Sequence, residues 1–159
     1  CSAAIISPRL VLTAGHCVYN ASGRSFFTDW RFMPAYNATL SVQPYGQWTW
    51  AAVHVTTPWA NGGGTVPNAA GFGTLEMNDQ VISGATRTLG SYLGWYSVAT
   101  GRLTANHLTA RGYPSNIDAG GRMIANSGET RLYTSTTGVM GSSMGGGSKD
   151  RSWMVRGPA

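Results

Sequence analysis

The sequence has few charged residues, only two cysteines and no long apolar or helical stretch. Charged residues make up 11% of the 159 residues, and the eleven basic residues are scattered along the chain rather than clustered. Because a nucleic-acid-binding surface needs a basic patch, we expect no nucleic-acid partner. No apolar run approaches the ~20 residues of a membrane-spanning helix, so we expect no membrane partner.

Glycine and strand-forming residues are abundant instead. The chain has 22 glycines and 11% aromatic residues, which is typical of a β-rich protein with many turns. Residues 47–55 alternate in character, as a β-strand does. One face of that strand would carry Trp48, Trp50, Ala52 and His54. Further strands are predicted at residues 32–36, 72–77, 122–124, 131–135 and 153–155, with loops at residues 18–31 and 61–64.

The most informative stretch runs from residue 5 to residue 17. Two apolar runs flank a turn at residues 7–9. A corner with small residues, LTAGHC, follows and ends with His16 and Cys17. This corner resembles the histidine motif of chymotrypsin-like serine proteases. The resemblance implies that His16 is the general base and that Cys1 and Cys17 form a disulfide, which would hold the histidine in one orientation. The alternative is a structural histidine beside an ordinary disulfide.

Other segments are similar to the secreted, glutamyl-endopeptidase-like branch of that family, namely residues 32–36, 43–55, 89–96 and 108–114. The resemblance implies two six-stranded β-barrels, one over residues 1–78 that carries His16 and one over residues 79–159 that carries the nucleophile. Residues 89–96 would form the first strand of the second barrel, and residues 108–114 would be another strand. The chain ends soon after the nucleophile motif, so we expect the second barrel to be incomplete or the chain to be shortened. A paired disulfide also implies secretion into an oxidising compartment.

The nucleophile motif of the family, Gly-x-Ser-Gly-Gly, has its nearest match at residues 141–146, GSSMGG. The resemblance implies that Ser143 attacks the substrate and that the N–H groups of Gly141 and Ser143 form the oxyanion hole. Met144 stands where the family has glycine. Ser142 and Ser148 are the fallback nucleophiles, and the alternative is a plain loop rich in glycine and serine.

The orienting acid of the family is missing from its expected place. Residues 72–77 fit the family pattern around that acid, but Gly71 stands where the aspartate belongs. Glu76 would point outward from a strand, and Asp79 and Asp29 could reach His16 only by an unusual path. Loss of this carboxylate lowers turnover by roughly 10⁴-fold but leaves a residual rate.

The sequence therefore predicts a secreted serine endopeptidase that acts on polypeptides, as a monomer and without a cofactor. No metal site is expected, because the histidines are far apart in the sequence: His16, His54 and His107. The main alternative is an inactive protein that keeps the protease fold for binding or structure. A more distant hypothesis is a carbohydrate-binding module that stacks sugars on tryptophans: Trp48, Trp50, Trp59 and Trp95.

Overall fold

Short antiparallel strands make up most of the regular structure. A computed structural model describes residues 1–62, 69–98, 106–134, 137–145 and 152–155. The strands are β1 (Ala4–Ile5), β2 (Leu10–Ala14), β3 (Tyr19–Asn20), β4 (Ser25–Phe26), β5 (Trp50–Val55), β6 (Phe72–Met77), β7 (Gln80–Ile82), β8 (Ala85–Arg87), β9 (His107–Gly112), β10 (Ile124–Glu129), β11 (Arg131–Thr134), β12 (Thr137–Val139) and β13 (Ser152–Val155). The expected all-β class is confirmed.

The helices are all short. They are α1 (Gly15–Val18), α2 (Thr57–Ala60), α3 (Leu89–Leu93) and a 3₁₀ turn (Asp118–Gly120). Across the described ranges, no helix has the length and apolar character that a bilayer crossing requires.

The first sheet carries the histidine corner, and its strand order is β1-β2-β6-β5. The two apolar runs that flank the turn at residues 7–9 form a hairpin at its edge, since β1 pairs antiparallel with β2 and the Ile6 N–H donates to the Leu10 carbonyl at 2.9 Å. Strand β6 covers the predicted residues 72–77 and places Phe72 opposite Ala14. The end of β2, where α1 begins, therefore lies beside the start of β6.

The main hydrophobic core lies against this sheet. Its buried members are Val11, Val18, Tyr19, Trp48, Trp59, Leu75, Met77 and Leu89. Trp48 is fully buried and Trp59 is nearly so. Two of the four tryptophans that could have stacked on a sugar are therefore core residues.

The strand predicted over residues 47–55 is shorter than expected, and its alternation changes part-way. Regular pairing begins at Trp50, while Trp48 makes only an isolated bridge to Phe32. The register with β6 shifts between Trp50 and Ala52. A bulge of this kind moves the following side chains to the other face. Val53 packs against the core and His54 is exposed, so the prediction of one face for all four residues was wrong.

A second sheet, of order β10-β9-β13, follows later in the chain. Strand β9 confirms the strand predicted at residues 108–114, and β11 and β13 confirm those predicted at 131–135 and 153–155, although residue 135 lies outside the described ranges. The strand predicted at 122–124 begins only at Ile124. In the described part of the chain, the hydrogen-bonded sheets have four, three or two strands, and none closes on itself.

Three other local predictions were wrong. Residues 89–93 form helix α3 rather than a strand, because Thr88 accepts the Ser91 N–H at its start and Gly94, at φ 79°, ends it. Residues 18–31 are not one loop, since β3 and β4 pair within them. Residues 32–36 hold no extended strand beyond the bridge at Phe32. Residues 63 and 64 of the predicted loop at 61–64 lie outside the described ranges.

Candidate active site

His16 occupies a corner that is fixed from two sides. It is the second residue of α1, it is exposed, and its ring centroid lies 6.5 Å from that of Trp59. Cys17, the next residue, forms the implied disulfide with Cys1. A Cβ on Gly15 would lie 2.7 Å from the Trp59 indole, so the absence of a side chain lets the indole pack onto the corner. The helix that carries the histidine is thus tied both to the chain start and to the core.

Position 71 lies directly beside this corner. The Gly15 N–H donates to the Gly71 carbonyl oxygen at 2.9 Å, and the following residue, Phe72, is opposite Ala14. The family pattern places its aspartate at this position. Gly71 contributes no carboxylate there.

The three other acidic residues considered in the sequence analysis each have different surroundings. Both carboxylate oxygens of Asp79 accept hydrogen bonds from Arg9 at 2.8 Å, and this guanidinium holds the pKa of the Asp79 carboxyl below its usual value. Glu76 is exposed, as predicted, and lies opposite Leu10. At ~3.3 Å per strand residue, the Leu10 end of β2 is roughly 13 Å from the Ala14 end. Asp29 is exposed and accepts a hydrogen bond from its neighbour Thr28.

The loop that carries Ser143 is held by two asparagines. The Asn116 amide donates to the Ser143 carbonyl at 3.0 Å and accepts the Gly145 N–H at 2.6 Å. The Asn126 amide, on β10, donates to the Gly141 carbonyl at 2.8 Å. No local sequence pattern pointed to either asparagine, because each reaches a loop far from it along the chain.

The side chains of this loop differ sharply in exposure. Gly141 and Ser143 are exposed, whereas Met144 is only 5% exposed. Met144 is not one of the described non-glycine residues with positive φ, so a methionine fits where the family has glycine. The Ser142 hydroxyl accepts the Met144 N–H at 3.1 Å, which ties this fallback nucleophile into the loop. Ser148, the other fallback, lies outside the described ranges.

Among the described residues, none hydrogen-bonds the Ser143 hydroxyl, and none accepts from the Ser143 N–H or the Gly141 N–H.

Two hydrogen bonds connect the histidine corner to the segment that precedes Asn116. Thr13, three residues before His16, donates to the Ser2 carbonyl, and the Ser2 hydroxyl accepts the Tyr113 N–H, both at 2.8 Å. The pairing of His16 with Ser143 in one site stays a prediction.

A cavity of about 750 Å³ is a further feature of the described part of the chain. It is lined by β1 and by aromatic side chains that include Trp30, Phe32, Tyr36, Trp50, Trp95 and Tyr96, and neither His16 nor Ser143 lines it. The sequence analysis missed this cavity, because its walls come from segments that are far apart in the chain.

One group of possible metal-binding atoms occurs in the described ranges. Ligand atoms of Cys1, His16 and Cys17 lie within 4.8 Å of one another. Both sulfurs belong to the disulfide, so they offer no thiolate to a metal ion.

Comparison with known proteins shows which fold the chain has. Glutamyl endopeptidase of Bacillus licheniformis is 31% identical over 120 residues, which cover 76% of this chain and 34% of that relative. The structure of the protease Anisep from Arthrobacter nicotinovorans superposes with a TM-score of 0.80 at 25% identity, over 100% of this chain and 72% of that one. The chain has the chymotrypsin-like serine protease fold. It is also related in sequence to glutamyl endopeptidase, as the resemblance implied.

Two further structures share the fold. A thermostable serine protease from an extremophilic microorganism gives a TM-score of 0.80 at 24% identity, over 99% of this chain and 72% of that one. A Glu endopeptidase in complex with MPD gives 0.79 at 21% identity, over 98% and 68%. No protein-family model matches the chain. The chain spans about a third of the length of its curated relative.

Proposed function

We propose that this chain hydrolyses peptide bonds as a secreted, monomeric serine endopeptidase. The observation that carries the proposal is the histidine corner. His16 stands on a disulfide-tied helix next to the start of β6, within a fold whose structural neighbours include serine proteases. The exposed hydroxyl of Ser143 supports the nucleophile assignment.

The proposed reaction has two halves. His16 takes the proton of the Ser143 hydroxyl as the oxygen attacks the peptide carbonyl, and the N–H groups of Gly141 and Ser143 stabilise the oxyanion. The tetrahedral intermediate collapses when His16 gives its proton to the leaving amine. Water, activated by the same imidazole, then releases the acyl group from Ser143. No cofactor takes part.

A second candidate function is favoured by Gly71. A serine protease that lacks the orienting carboxylate turns over roughly 10⁴-fold more slowly. A chain with glycine beside the histidine corner could therefore serve as an inactive binding or structural protein on the same fold.

Labelling with a fluorophosphonate separates the two candidates. We expect slow covalent labelling of the native protein, located at Ser143 by peptide mass spectrometry. Ser143→Ala and His16→Ala should abolish the labelling, because one removes the nucleophile and the other its base. Ser22→Ala is the matched control, since Ser22 is exposed and belongs to the β3–β4 hairpin. Absence of labelling in protein with a cooperative unfolding transition would support the inactive candidate.

A further inference from the structure

Asn116 contacts the nucleophile loop on both sides of Met144. Its amide nitrogen donates to the Ser143 carbonyl at 3.0 Å, and its amide oxygen accepts the Gly145 N–H at 2.6 Å. Asn126 makes the corresponding contact one step earlier, to the Gly141 carbonyl at 2.8 Å. The loop carbonyls on both sides of the Ser142–Ser143 peptide unit are therefore held by side chains of the second half of the chain.

Because peptide units are planar, these contacts restrict the direction of one N–H group, that of Ser143. The Gly141 carbonyl belongs to the peptide unit before Ser142, and the Ser143 carbonyl belongs to the unit before Met144. The unit between them carries the Ser143 N–H. Because each peptide unit is rigid and only two dihedral angles join neighbouring units, fixing both flanking units restricts the direction of that N–H.

Both asparagines are connected to strand β9. Asn126 lies in the middle of β10, opposite Ala110 of β9, in a ladder that runs over six residue pairs. Asn116 follows β9 by four residues, and the Tyr113 N–H just before it donates to the Ser2 hydroxyl at 2.8 Å. A site that is held from strands is more precise than one held only by its own loop.

The absence of a side chain at Gly145 leaves room for the Asn116 amide. A Cβ at position 145 would lie 2.8 Å from the Asn116 amide oxygen and 2.9 Å from its amide carbon. Any larger residue would push the asparagine side chain away from the loop. The contact can therefore be broken from either partner.

We propose that Asn116, supported by Asn126, is a positioning residue that aims the Ser143 N–H at the oxyanion. This inference rests on the proposed function, because it assigns a role within that reaction. Asn116 acts through the backbone of Ser143 and touches no reacting atom. Its loss should therefore lower the rate of acylation and leave substrate affinity unchanged.

The experiment compares four variants with the native protein: Asn116→Ala, Asn116→Asp, Gly145→Ala and Asn78→Ala. Removal of one oxyanion donor costs 10²–10³ in kcat, so misdirecting one should cost less, about tenfold in the rate at which a fluorophosphonate phosphonylates Ser143 with loss of fluoride. The aspartate keeps an acceptor for the Gly145 N–H but loses the donor to the Ser143 carbonyl, so it should be as slow as the alanine. Gly145→Ala should be slow for the same reason. Asn78→Ala is the control, because Asn78 bonds Thr49 at the other end of β6.

Two further readouts decide between positioning and general stability. For a peptide anilide substrate, whose acylation limits turnover, kcat should fall in Asn116→Ala with KM unchanged, and the thermal unfolding midpoint should match that of Asn78→Ala. In NMR spectra, the Ser143 and Met144 amide signals should shift or broaden in Asn116→Ala and Gly145→Ala. Unchanged amide signals would overturn the inference, whether or not the protein is active. A native rate in Asn116→Ala, or a rate loss matched by a lower midpoint, would overturn it too. A native protein that fails to label, with amide signals that do respond, would instead refute the proposed function.

Discussion

At the scale of single residues, position 71 is where an orienting carboxylate is missing from the proposed reaction. Its carbonyl accepts the Gly15 N–H at 2.9 Å, next to His16, and it bears no side chain. We predict that Gly71→Asp raises kcat/KM for a chromogenic peptide substrate by about 10³–10⁴-fold, since loss of this carboxylate costs roughly 10⁴ in a complete triad. The physical reason is that an aspartate would orient the imidazole and stabilise its charged form.

The matched control for this gain is Gly71→Asn. It adds nearly the same volume and a hydrogen-bonding side chain but no negative charge, so it should raise the rate far less. An equal gain in both variants would show that the added side chain acts through packing or hydrogen bonding rather than through its charge. No gain in either would show that position 71 does not reach the imidazole.

The residues of the candidate site differ in how well the sequence predicted them. The His16 corner was predictable, because its signal is local, with both apolar runs, the turn and Cys17 contiguous in the chain. Asn116 was not predictable, because its contacts to Ser143 and Gly145 cross more than twenty residues of chain. Met144 stands where the family has glycine, and the structure shows that its side chain is buried and its φ is not positive.

At the scale of elements, strand β6 positions the histidine helix through close packing on α1. A Cβ on Gly73 would lie 2.5 Å from Val18 Cγ2 and 3.2 Å from the His54 carbonyl oxygen. Val18 is fully buried, so the surrounding packing prevents its methyl group from moving away. We predict that Gly73→Ala destabilises the protein by about 1–3 kcal/mol, the usual cost of overpacking a core, as measured by urea unfolding.

Gly141→Ala is the control for that measurement. A Cβ at position 141 would meet no atom within 4 Å, so its free energy of unfolding should stay close to that of the native protein. Equal stability of the two variants would mean that β6 and α1 can separate without loss, and that the strand does not fix the corner.

Two of the wrongly predicted elements share a cause. Residues 89–96 looked like a strand, but Thr88 and Gly94 cap a short helix, and the caps outweigh the apolar composition between them. The alternation of residues 47–55 was real, yet the bulge near Trp50 reversed its faces. Caps and bulges depend on one or two residues, so a pattern that is read over a whole segment does not detect them.

At the scale of the whole molecule, Tyr113 joins segments from three parts of the chain. Its N–H donates to the Ser2 hydroxyl, beside the disulfide, and its own hydroxyl donates to the Tyr36 carbonyl at 3.0 Å. The neighbouring Ala38 N–H donates to the Gly121 carbonyl at 2.7 Å. The region after β9 is therefore bonded to the first half of the chain at several points.

Ionisation of the Tyr113 phenol should lower the free energy of unfolding of the protein at alkaline pH. Burial raises the pKa of the Tyr113 phenol above its ordinary value of 10.0. A group whose pKa is higher in the folded state stabilises the protein fully below the unfolded pKa, and this contribution is lost as the pH rises through the folded pKa. Tyr113→Phe removes the phenol and its bond to Tyr36, so we predict that it is less stable by about 1 kcal/mol at pH 7. That difference from the native protein should shrink above pH ~10.

Urea unfolding from pH 7 to pH 11.5 measures the difference, with Tyr133→Phe as the control because Tyr133 is 76% exposed. A difference that stays constant over this range would show that Tyr113 does not ionise as part of the junction.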